Sequence, residues 1–94
     1  MAIVIVNEMH GGSQDLYDKV TDRVMPGGQL PQGCRDHIAG PIEGGWRVIT
    51  VWESEDQFNQ FRNDKLIPAF QEAGAGDSVA PQIQADPVHR HVTA

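Results

Sequence analysis

The sequence predicts a single α+β domain over residues 1–94, with strand, helix, strand, strand, helix and strand following one another. Two observations carry that order. Apolar runs read as strands at the start of the chain and in its middle, joined by the more polar stretches CRDHIAG and IQADPVHRHV, with Gly- and Pro-rich segments between. Between them, Ser13 and Ser54 each stand just ahead of a segment with helical spacing of apolar residues. Helices that cross over one face of an antiparallel sheet in this order give a ferredoxin-like sandwich.

The first strand is Ala2 to Glu8, rich in Ile and Val. After GGS, Ser13 caps a helix reaching about Met25, on which Leu16, Val20 and Val24 form one apolar face. MPGGQLPQG cannot continue that helix and is a loop. CRDHIAG is the second strand, GPIEGG the hairpin loop, and WRVITVWE the third strand. Ser54 then starts a helix with Gln57 completing a Ser-x-x-Gln capping box, and Phe58 and Phe61 mark its buried side. Pro68 predicts a break near Leu66 and a separate short helix, IPAFQEAG. GAGDSVAPQ is expected to be a flexible turn region, and IQADPVHRHV a last strand kinked at Pro87 and confined to an edge or interface.

Two helices cover one face of a four-stranded sheet. Yet Ile3 and Ile5 lie on one side of the first strand and Val4 and Val6 on the other, and the third strand is likewise apolar on both parities. A half-solvated antiparallel sheet should alternate cleanly. The second face therefore calls for a cover, and the expected cover is the same face of a second copy in a closed homodimer.

Composition narrows the function classes. The net charge is −6 and the seven Lys and Arg residues are scattered, so no nucleic-acid or anionic-membrane partner is expected. No apolar run approaches the ~20 residues of a membrane span. MAIVIVNEM lacks a basic flank and reads as a strand, not as a signal peptide, and the single cysteine, Cys34, suits a reducing, cytoplasmic setting.

VITVWESEDQFNQF, the following LIPAF and the early VIVNE resemble the dimeric α+β-barrel superfamily, most closely its antibiotic-biosynthesis-monooxygenase-like branch, which includes haem-degrading monooxygenases. The resemblance implies a ferredoxin-like sandwich paired into a dimeric α+β barrel. It also implies roles. The haem-degrading members use an asparagine late in the first strand, matched by Asn7, and a tryptophan ending the third, matched by Trp52. Their iron ligand is a histidine on the helix that follows, where this chain has Phe70; oxygenase-like relatives often carry a histidine one turn into that helix, where it has Phe61. Phenylalanine cannot ligate iron, so no cofactor is expected.

Each candidate has a structural reading beside its functional one. Trp52 is either core beside Phe58 or the wall of a cleft. Asn7 either caps a strand end or offers its amide to a ligand. His37 is a proton carrier or a surface histidine; Asp36, on the opposite strand face, cannot orient it. Phe58, Phe61 and Phe70 would line an apolar cleft, and Arg47 would grip a carboxylate or pair with Asp36. His89 and His91 share a strand face at a spacing that chelates metals, with Glu8 or His10 as a third ligand, although such pairs are usually solvated. Cys34 reads as a small buried thiol, and HGGS lacks the lysine of a phosphate loop.

The expectation is a small homodimer that binds an apolar or aromatic molecule between sheet and helices. Its activity would be a cofactor-independent monooxygenase-like or proton-transfer reaction served by Asn7, His37 and Trp52. The alternatives are a non-catalytic binding or assembly module, and a metal- or haem-binding protein using its C-terminal histidines.

Overall fold

The computed structural model describes residues 2–74 and 80–94. Four strands form one antiparallel sheet: β1 (Ile3–His10), β2 (Cys34–Ile42), β3 (Gly45–Trp52) and β4 (Ala80–Pro87), in the order β2-β3-β1-β4. The central pair is the β-branched one, as expected where both edges of a strand must be bonded. β4 is an edge strand, where the missing N–H of Pro87 costs least.

Helix α1 (Gln14–Val24) starts where Ser13 Oγ accepts from the Leu16 N–H, and ends at a Met25 N–H bonded to Thr21 O. The loop after it holds a 3₁₀ turn, Pro26–Gly28. The hairpin is tighter than the six-residue loop read from sequence. β2 runs on to Ile42, and Glu43 and Gly44 alone make the turn, with Gly44 at φ 77 in the left-handed region that glycine adopts without strain.

The second crossover corrects another expectation. Helix α2 (Glu55–Phe61), capped by Ser54 Oγ on the Gln57 N–H, does not break at Leu66. It passes through a π-helical turn, Arg62–Leu66, straight into α3 (Ile67–Glu72). Pro68 has no N–H to give Asp64 and its ring would crowd that carbonyl in an α-helix. The wider turn, in which the Ile67 N–H reaches back to Arg62 O, absorbs the mismatch without ending the helix. An Arg23–Glu72 ion pair ties α1 to α3 on the surface.

The C-terminal strand is shorter than read. It ends at Pro87, so His89 and His91 do not share a strand face. Val88 N–H bonds Ala2 O at 3.0 Å, and His91 Nε2 lies 2.6 Å from Asp36 Oδ2 on β2, the opposite edge strand. Residues 88–91 thus cross the sheet on the face away from the helices. Of the expected turn region GAGDSVAPQ, residues 75–79 lie outside the described residues, and its last residues belong to β4.

Register fixes the two faces. Toward the helices β1 presents Ile3, Ile5, Asn7 and Met9, all buried, opposite Trp52, Thr50, Val48 and Trp46 of β3. Away from them lie Val4 and Val6, with Val51 and Ile49 alongside and Ile38, 64% exposed, on β2. This second face is the apolar surface the sequence predicted. A bulge between Cys34 and Asp36 sets His37 opposite Thr50, on the helix side, and Asp36 opposite Val51, on the other.

Candidate functional site

The packing under the helices divides around Asn7. On one side Ile3, Ile5, Trp52 and Phe58 form a core cluster with Cys34, Phe61 and Ile83; on the other Met9 packs with Leu16, Trp46, Val48 and Phe70. Asn7 stands between Ile5 and Met9 on the same strand face, and its Oδ1 is buried with no hydrogen-bond donor among the described residues. Such an orphan is costly in a native interior, and a donor from a ligand or a water would relieve it.

A cavity of about 70 Å³ lies there, between the sheet and all three helices. Asn7, His37, Trp52, Phe58, Phe61 and Phe70 line it, so six of the residues singled out from sequence converge on one space. Arg47 does not. It is on the opposite face, exposed, and its strand neighbours are Glu8 and Gly40, not Asp36. The parity of a strand that is apolar on both sides does not say which side faces the helices, and Arg47 fell on the other one.

Trp52 turns out to be both core and wall. It is 1% exposed, its indole N–H donates to Thr50 Oγ1 at 2.9 Å, and its ring meets Phe58 edge-on at 5.6 Å and Phe61 at 5.2 Å. Its polar handle is thus satisfied inside β3, and only its ring faces the cavity.

At the β2 end of the cavity, Tyr17 Oη and His37 Nε2 are 2.6 Å apart, and both residues line the space. Burial lowers the His37 pKa from its ordinary value, which keeps the imidazole neutral near pH 7. The Tyr17 ring rests on Trp46, with centroids 5.3 Å apart, so its hydroxyl is held in place. Sequence reading missed Tyr17. The signal was the stripe Tyr17, Val20, Thr21, Val24, a helical i, i+3, i+4, i+7 set that faces the cavity as a whole. Cys34 also lines it; burial pushes its thiol up to about 11, so it is no ready nucleophile.

The strand-face spacing behind a His89–His91 metal pair is not formed, because both residues follow the end of β4. Among the described residues no three His, Cys, Asp or Glu side chains come together as a metal site, and His91 is engaged with Asp36. Haem does not fit either. The wall offers phenylalanine at Phe61 and Phe70, where an iron ligand would stand, and its imidazole, His37, is held by Tyr17. No described helix is long and apolar enough to cross a membrane.

No protein-family model matches the sequence, and no curated protein matches it. Solved structures do. SnoaB, a cofactor-independent oxygenase from Streptomyces nogalater, superposes in a mutant form with a TM-score of 0.69 at 11% identity, over 99% of this chain and 98% of that one. A Deinococcus radiodurans chain assigned as an antibiotic biosynthesis monooxygenase gives 0.62 at 10% identity, over 100% and 98%. The fold is that of the antibiotic-biosynthesis-monooxygenase-like proteins. MhuD, solved with two manganese protoporphyrin IX bound per active site, shares it at a TM-score of 0.64 and 17% identity, over 98% and 99%. One fold thus holds a cofactor-independent oxygenase and a protein that binds a porphyrin, and at these identities the likeness speaks for fold alone.

Proposed function

We propose that this chain binds an apolar or aromatic metabolite in the cavity under its helices and acts on it as a cofactor-independent monooxygenase-like or proton-transfer enzyme. The observation that carries the reading is the orphaned Asn7 carbonyl oxygen inside a mostly apolar, aromatic-walled space. Such a site takes a flat apolar body and orients it by one polar contact. SnoaB, with the same fold, is a cofactor-independent oxygenase, which favours that branch over porphyrin chemistry for a wall with Phe70 and Phe61.

The cavity is smaller than the ~150 Å³ void that accepts benzene. A ring-sized ligand therefore needs side chains to move. Phe61 also borders a groove lined by Val24, Pro31 and Gln60, and Leu66 and Phe70 border another with Arg62 and Ile67. Outward rotation of these side chains would enlarge the cavity, next to the π-turn that already departs from regular helix.

The working form in this reading is a cytoplasmic homodimer, joined through the outer sheet face of Val6, Ile49 and the exposed Ile38, beyond the row where residues 88–91 cross it. Tryptophan fluorescence of the protein titrated with single-ring aromatics tests the binding. Quenching in the wild type that is mostly lost in Trp52→Phe supports it, and no response to any ring compound contradicts it.

A further inference from the structure

Resting on that reading of the cavity, we infer that Tyr17 and His37 are its reacting pair and that the substrate carries a weakly acidic hydroxyl, a phenol or an enol, on its apolar ring. The two residues come from α1 and β2, meet at 2.6 Å, and both border the cavity. No Lys or Arg is among the lining residues, and Arg47 is on the other side of the sheet. A carboxylate or phosphate would enter such a space without a counter-charge, at a large desolvation cost. A neutral hydroxyl would not.

The pair moves a proton without any other reagent. With neutral His37 protonated on Nδ1, Nε2 accepts from Tyr17 Oη–H, which leaves the lone pairs of Oη for an incoming O–H. The substrate O–H bond breaks and its proton goes to Tyr17 Oη. The proton already on Tyr17 goes to His37 Nε2. The substrate is left an oxyanion hydrogen-bonded by Tyr17 and the imidazole becomes imidazolium, so atoms and charge balance. The other titratable group on this wall is the Cys34 thiol; Asp36 and His91 face each other across the sheet on its far side. Asn7, two strands away and two residues along, awaits a donor, which places a second hydroxyl or N–H at the far edge of the ligand.

The test uses 4-nitrophenol, whose absorbance reports ionisation, and 4-nitroanisole, its methyl ether, with the wild type, Tyr17→Phe and His37→Gln. Tyr17→Phe keeps the ring on Trp46. Both probes are expected to bind all three proteins. Bound 4-nitrophenol should ionise about one pH unit lower in the wild type than in either variant, a roughly tenfold change in its ionised fraction. Equal ionisation in all three, with the probe bound, overturns the pair and leaves the cavity reading standing. Failure of both probes to bind the wild type overturns both. Circular dichroism checks each variant's fold; if Tyr17→Phe unfolds, the comparison with His37→Gln decides alone.

Discussion

The Trp52 indole N–H donates to Thr50 Oγ1, two residues back on the same face of β3, at 2.9 Å. A buried indole normally needs a partner, and finding it within the strand frees the ring to act as a surface. Thr50→Val keeps the shape and leaves that N–H unpaired, so it should cost about 1–3 kcal/mol. Trp52→Phe should cost a similar ~1–3 kcal/mol through lost packing. In the Trp52→Phe background, Thr50→Val should cost well under ~1 kcal/mol, since no donor remains. Urea unfolding of the four proteins measures this, and simple additivity would show the bond to be inconsequential.

Asn7 should trade stability for function. Its carbonyl oxygen is buried without a donor, so Asn7→Leu, of similar volume, is expected to raise stability by about 1 kcal/mol. The same change removes the orienting amide and should weaken aromatic binding about tenfold or more. A destabilised Asn7→Leu would mean that the amide holds the fold together and is not reserved for a ligand.

Much of this was legible beforehand. Ser13 and Ser54 announced their helices because an N-cap is a local interaction, and the parity of Ile3, Ile5 and Asn7 set one face of β1 because alternation is strict. The π-turn was not legible: Pro68 signals a conflict with the helix, but whether the chain breaks or widens depends on what packs around it. Arg47 was misplaced because its strand is apolar on both sides. Tyr17 was overlooked because its partner His37 is twenty residues away, a proximity that only the packing of α1 on β2 creates.

Acid should expose the burial of His37. Its folded-state pKa lies below the unfolded value near 6.5, so the fold resists protonation there. The sign follows: this contribution is fully present above about pH 6.5 and is lost as the pH falls through the lower folded value. His37→Gln should lose less stability than the wild type between pH 7 and mildly acidic pH. Parallel stability curves would contradict the burial.

The outer sheet face predicts the assembly. Val6 and Ile49 form an apolar strip there, beyond the row where residues 88–91 cross it, with Ile38 exposed beside it. Light scattering at micromolar concentration should give about twice 10.3 kDa, and Ile49→Asp, which buries a carboxylate in that interface, should give the monomer. A wild-type monomer would leave the strip without the partner proposed for it.

The central claim is that a flat ligand lies between Asn7 and Trp52, and a crystal structure of the protein grown with 4-aminophenol, which carries a hydroxyl and a second donor, tests it most directly. The account predicts density for the ring against Trp52 and Phe58, with Phe61 or Phe70 swung outward and one polar ligand atom within hydrogen-bond distance of the Asn7 amide. A cavity closed by its own side chains, with the probe absent or bound elsewhere, would contradict it.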